Sequence, residues 1–90
     1  SSTRDFSFLV DDFNLVFEVI DTLDKISDDI IKNSFLFDYY KNNETQIIKL
    51  GYRFIFQSHH KTLSDTDINK KVNEILSPIL AIEGVSIPGM

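Results

Sequence analysis

The hydrophobic residues of this chain recur with a period that switches between two values, and the order of those switches leaves few folds open. From Arg4 to Val10 the pattern alternates: Phe6, Phe8 and Val10 share one face, and Asp5, Ser7 and Leu9 the other. That is the signature of a half-buried strand. Asp11-Asp12 breaks it, and Asn14 is read as the N-cap of a helix. From Leu15 to Ile26 the spacing becomes helical, with Val16, Val19, Ile20, Leu23 and Ile26 on one side and Glu18, Asp21, Asp24 and Lys25 on the other. Ile30 to Lys41 reads as a strand rich in Ile, Phe and Tyr. Asn42-Asn43-Glu44-Thr45 is a turn, because Asn tolerates positive φ and bonds its own backbone. Ile47 to Gln57 returns as the second arm of an antiparallel hairpin.

After a loop at Ser58-His59-His60-Lys61, Ser64 and Asp67 stand at the spacing of a capping box. Ile68, Val72, Ile75, Leu76 and Ile79 then supply a buried helical stripe. Pro78 inside the stripe predicts a kink or an end near Ser77, and Gly84 stops what remains. Val85-Ser86-Ile87 is a short final strand. The order β-α-β-β-α-β, with right-handed crossovers, predicts an α+β fold: a four-stranded antiparallel sheet with two helices on one face. The other sheet face is then bare.

Ninety residues make one domain, residues 1–90, with an ordered core over about 4–87. At 42% hydrophobic residues and eight Phe, the chain has apolar surface enough for one packed core. No cysteine is present, which removes a disulfide scaffold and thiolate metal sites and fits a reducing cytoplasm. No apolar run approaches the ~20 residues of a membrane span. The start at Ser1-Ser2-Thr3 has no signal-peptide character and no Met, and reads as a cut from a larger protein. The net charge of −5 argues against a general nucleic-acid binder, DNA included. Its distribution is uneven, however. Between Asp11 and Asp29 seven carboxylates face one base, Lys25, whereas Arg4, Lys32, Lys41, Lys49 and Arg53 outnumber Asp5 and Asp38 in the strand segments. Such a molecule could repel RNA on one side and accept it on the other; the plain alternative is a solvated acidic helix.

The helices are expected to bury Phe6, Phe8 and Val10, Phe35 and Phe37, and Leu50, Tyr52, Phe54 and Phe56. Strict alternation then leaves Ser7, Leu9, Leu36, Asp38, Tyr40, Lys49, Gly51 and Arg53 on the bare face. Tyr40 could stack on a base, for about 1–3 kcal/mol. Asp38 could accept from the ring and exocyclic N–H groups of guanine. Lys49 and Arg53 could meet phosphates, and Gly51 would keep the surface low enough for a base to approach. The competing reading is a cross-strand pair of Asp38 with Arg53 or Lys49, worth about 0.2–1 kcal/mol.

Arg4-Asp5-Phe6, Leu36-Phe37-Asp38-Tyr39-Tyr40, Tyr52-Arg53-Phe54-Ile55-Phe56-Gln57 and Thr62-Leu63-Ser64-Asp65, in that order, resemble the ferredoxin-fold anticodon-binding domain at the C-terminus of phenylalanyl-tRNA synthetase. The match covers about residues 4–87. The resemblance implies a ferredoxin-like fold and a parent enzyme that charges tRNA with phenylalanine using ATP and Mg²⁺ at a catalytic site elsewhere. It implies a bacterial-type β subunit in an assembly of α and β chains, with the tRNA(Phe) anticodon stem-loop as partner. In the family the Asp and Tyr of Phe-Asp-x-Tyr read the wobble guanine, and these fall on Asp38 and Tyr40; the small residues of the first and third strands fall on Ser7 and Gly51. Two departures stand out. The Gly-rich hairpin is replaced by the shorter Asn42–Thr45 turn, and no arginine closes the C-terminal Val85–Met90. Lys49 is the candidate to replace that cation.

His59-His60 lacks the Cys or placed carboxylate of a metal site, and no nucleophile–base arrangement, P-loop or HExxH appears. No catalytic residue, metal or cofactor is therefore expected within these residues. The alternative to RNA binding is a protein–protein or small-ligand sensing module on the same frame, for which a stable dimer would speak.

Overall fold

The computed structural model describes residues 2–88. Strand β1 spans Ser2–Val10, a 3₁₀ turn Phe13–Leu15, α1 Val16–Asp24, β2 Ile31–Lys41, β3 Ile48–Phe56, α2 Asp65–Leu80 and β4 Val85–Ser86. The sheet order is β2-β3-β1-β4, with neighbours antiparallel. This is the expected α+β, ferredoxin-like arrangement. No helix among the described residues is long and apolar enough to cross a membrane.

The core lies between the sheet and the helices. Phe8 and Val10 of β1 and Ile48, Leu50, Tyr52, Phe54 and Phe56 of β3 are buried against Val16, Val19 and Leu23 of α1 and Ile68, Val72, Ile75, Leu76 and Ile79 of α2. Central β3 contributes every second residue to this layer, as its period of two requires. Strand β2 does not follow the expected pattern. Phe35 and Phe37, which strict alternation assigns to the core, are 38% and 45% exposed.

Local chemistry corrects or narrows the expectation at three ends. Asp12, not Asn14, caps the first turn, its Oδ1 accepting from the Asn14 amide at 2.9 Å. In the hairpin, Asn42 Oδ1 accepts from the amides of Glu44 and Thr45 at 2.9 and 3.2 Å, but the positive φ falls on Gln46, at 65°. Helix α2 runs past Pro78 to Leu80. Proline has no N–H for the carbonyl four residues earlier, that of Glu74; the Ser77 hydroxyl donates to that carbonyl at 2.9 Å. The vacant acceptor is filled from the neighbouring side chain, so the helix does not stop at Ser77. The Ser64–Asp67 capping box forms as expected, with bonds of 3.0 and 3.1 Å, and lowers the pKa of Asp67, first through its bond from the Ser64 amide.

Tyr52 carries a polar group that reaches out of the middle of the core. Its ring is buried and its hydroxyl donates to Asp24 Oδ1, at the end of α1, at 2.5 Å. Burial, then the bond to Asp24, pushes the phenol up to about 12 from 10.0. A phenol that ionises later in the folded chain than in the unfolded one adds stability that is complete below pH 10 and disappears as the pH climbs to about 12. Urea midpoints measured across that window are expected to fall for the native chain. Tyr52→Phe should remove this part of the fall, at a cost near neutrality of about 1–2 kcal/mol for the lost charge-assisted bond.

A candidate RNA-binding face on the uncovered side of the sheet

Residues directly opposite in an antiparallel pair point to the same face. The β1–β3 register sets Ser7 against Gly51, Leu9 against Lys49 and Asp5 against Arg53, all on the side away from the helices. The β2–β3 register continues each row: Tyr40 stands opposite Lys49, Asp38 opposite Gly51 and Phe35 opposite Arg53. Three rows of side chains therefore cross the open face, each about 7 Å from the next: Tyr40, Lys49, Leu9; then Asp38, Gly51, Ser7; then Phe35, Arg53, Asp5. The six candidate residues, Ser7, Asp38, Tyr40, Lys49, Gly51 and Arg53, lie together on this face.

Leu36, expected on the open face, is opposite the buried Tyr52 and so on the helix side. The reason is a β-bulge. Leu36 pairs with Tyr52 and Asp38 with Gly51, so Phe37 is an extra residue in β2. Before it, Ser34 and Leu36 belong to the helix side; after it, Tyr39 and Lys41 do. An inserted residue inverts the parity of every position beyond it. Asp38 and Tyr40 reach the open face by this inversion. Phe35 and Phe37 stay out of the core for the complementary reason.

The space above Gly51 is not bare. A Cβ there would stand 2.9 Å from Asp38 Cβ and 3.1 Å from Phe37 Cζ. The glycine thus makes room for the end of the Phe37 ring rather than for an incoming base. Over that ring lies the Arg53 guanidinium, 4.7 Å from its centroid. Arg53 is held in turn by Asp5, Nε to Oδ1 at 2.8 Å and Nη2 to Oδ2 at 3.0 Å. The hydrogen bond from Arg53 holds the Asp5 carboxyl below the usual carboxylate range. Arg53 is therefore engaged by a carboxylate within the chain. Sequence reasoning sent Phe37 to the core; it set Asp5 on the same face of β1 as Ser7 and Leu9 but did not foresee its bonds with Arg53. The signal in the sequence is that both parities of Phe35-Leu36-Phe37-Asp38-Tyr39-Tyr40 carry large apolar or aromatic side chains, so alternation alone does not fix the face of this stretch.

Asp38 takes neither of the cross-strand partners considered for it: among the described residues, neither Asp38 nor Lys49 is in an ion pair within 4.0 Å. The Asp38 carboxylate is exposed and Tyr40 is 59% exposed two residues on. Ser7 and Lys49 line a cleft of about 490 Å³ with Asp5, Phe6, Ile87 and Pro88. The arrangement offers a carboxylate with free acceptor positions, an aromatic surface beside it, one uncommitted ammonium and a hydroxyl. Such a set can stack a flat heterocycle and accept hydrogen bonds from its edge. Among the described residues no group of three or more His, Asp or Glu is placed to hold a metal ion.

The profile of the family described as "Ferredoxin-fold anticodon binding domain" matches residues 1–87. Among curated proteins, the phenylalanine–tRNA ligase beta subunit of Clostridium acetobutylicum is 30% identical over 87 residues, covering 94% of this chain and 11% of the relative. The corresponding subunit of Francisella tularensis is 28% identical over 79 residues, 88% of this chain and 10% of the relative. The chloroplastic beta subunit of Porphyra purpurea is 31% identical over 80 residues, with 87% and 11% covered. The chain spans about a tenth of the length of these relatives.

Proposed function

This chain belongs to the ferredoxin-fold anticodon-binding domain family, and we propose that it is the anticodon-binding module of a phenylalanine–tRNA ligase β subunit. In this reading, residues 1–90 are one non-catalytic domain of a longer cytoplasmic chain that works with α and β subunits. ATP and Mg²⁺ serve the aminoacylation step in another part of that assembly. The open sheet face holds the anticodon loop of tRNA(Phe). The observation that carries the reading is the exposed Asp38 carboxylate beside the exposed Tyr40 ring on the one sheet face that no helix covers. Asp38 accepts from the N–H groups of guanine, Tyr40 stacks on the base, and Lys49, opposite Tyr40, meets a phosphate. Ser7 lines the neighbouring cleft.

The test is titration of this chain with anticodon stem-loops that differ only in the anticodon. Preference for the guanine-bearing loop is expected; equal binding of all loops would overturn the reading and leave a protein or small-ligand surface instead. The salt dependence is a second handle. Arg53 is committed to Asp5, so phosphate attraction rests chiefly on Lys49. The logarithm of the binding constant is expected to fall with the logarithm of salt concentration at a slope of about −1, as for one or two neutralised phosphates on a single strand.

A further inference from the structure

We propose that Phe37, Arg53, Asp5 and Gly51 form a latch that fixes the bulge in β2 and thereby decides which face of the sheet displays Asp38 and Tyr40. The proposal rests on the anticodon-binding reading for its link to RNA; its structural part stands alone.

The register supplies the geometry. From Asn33 up to the bulge, opposed positions in β2 and β3 add to 88, as in Leu36 with Tyr52; beyond it they add to 89, as in Asp38 with Gly51 and Tyr40 with Lys49. Were the first register to continue, Asp38 would stand opposite Leu50 and Tyr40 opposite Ile48, both buried on the helix side. A carboxylate would then press into the apolar layer and the stacking ring would leave the open face. The two registers differ by one residue, and a bulge is the device that selects between them.

Two contacts hold the extra residue in place, and further bonds brace them. Phe37 lies with Cζ and Cε1 at 3.1 and 3.3 Å from where a Gly51 Cβ would be, a seat that exists because position 51 is glycine. The Arg53 guanidinium covers the ring at 4.7 Å. Asp5, on β1, grips that guanidinium with two hydrogen bonds. Gly51 is itself paired with both Asp38 and Ser7, so the latch spans three strands. These are positioning residues: they act on the base-reading groups through the backbone of β2. The guanidinium serves both ends at once, its charge over the ring face and two of its N–H groups on the carboxylate.

The test compares the native chain with Phe37→Ala, Arg53→Ala and the ring-retaining Phe37→Tyr. Cross-strand nuclear Overhauser contacts read the register, and anticodon stem-loop binding reads discrimination. Asp38 is expected to contact Gly51 across the strands in the native chain and in Phe37→Tyr, and to lose that contact in Phe37→Ala and Arg53→Ala. Preference for the guanine-bearing loop is expected to drop by about tenfold in the two alanine variants, the loss of one charge-assisted bond, and to return in Phe37→Tyr. An Asp38–Gly51 pairing retained in both alanine variants would overturn the latch. Shifted pairing with unchanged discrimination would overturn its part in recognition. A native chain that bound all loops alike would defeat the functional reading alone, because the Overhauser contacts still decide the register.

Discussion

Phe54→Ala is expected to take away most of the stability of this chain, whereas Phe35→Ala should cost no more than about 1 kcal/mol. Phe54 is fully buried on β3, with ring centroids 5.9 Å from Phe6, 5.5 Å from Tyr52 and 6.0 Å from Phe56. Truncating a buried phenylalanine removes its transfer free energy and leaves a cavity that neighbours fill only in part, for about 3–5 kcal/mol. Domains of this size stand at the low end of the usual range of about 5–15 kcal/mol. The same substitution at Phe35 deletes a ring that is 38% exposed on the open face, where much of its apolar surface is wet in the folded state as well. Urea unfolding followed by circular dichroism separates the two. Equal losses would mean that Phe35 is a core residue and that β2 has the opposite parity.

Asp38→Ala is expected to weaken binding of the guanine-bearing anticodon loop by about 10- to 100-fold, corresponding to the loss of hydrogen bonds to a charged acceptor, and to change other loops little. Among the described residues Asp38 is in no ion pair, so its removal leaves no buried partner behind. The effect should appear in binding and not in the urea midpoint. Asp38→Asn should lose as much as Asp38→Ala, because an amide presents one N–H₂ group where guanine also presents N–H. Fluorescence titration of the loops against each variant measures this. A uniform loss across all anticodons would show that Asp38 does not read a base.

The frame of the molecule was legible in the sequence because each element satisfies its own period. β1 and β3 alternate without interruption, and both helices carry unbroken apolar stripes, so their faces are fixed directly by Phe8, Val10, Leu50, Phe54, Ile68 and Leu76. The Ser64–Asp67 cap was legible because both of its bonds are local in sequence. Strand β2 was half legible. Strict alternation placed Asp38 and Tyr40 on the open face but Phe35, Leu36 and Phe37 on the wrong sides. A bulge is a relation between two strands, and here it depends on the absence of a side chain at Gly51, thirteen residues after Asp38. The fate of Arg53 was hidden for the same reason: its partner Asp5 is 48 positions away, and the register that joins them emerges when β1 and β3 pair. Pro78 left open whether the helix ends near Ser77 or runs on, and it runs on because the hydroxyl that meets the Glu74 carbonyl belongs to the residue beside the proline.

The interruption in β2 has a consequence for solubility. Strand β2 is the outermost in the sheet and eleven residues long, and it exposes Phe35, Leu36, Phe37, Tyr39 and Tyr40. A straight, sticky border of that length is a template on which other chains assemble into aggregates. Its pairing is broken twice, between Ile31 and Asn33 and between Leu36 and Asp38. Each break twists the border and puts its free N–H and C=O groups out of step with any incoming strand. The distortion that turns a carboxylate and a phenol outward thus also keeps so many bare rings along one rim from lying on a straight, pairable border.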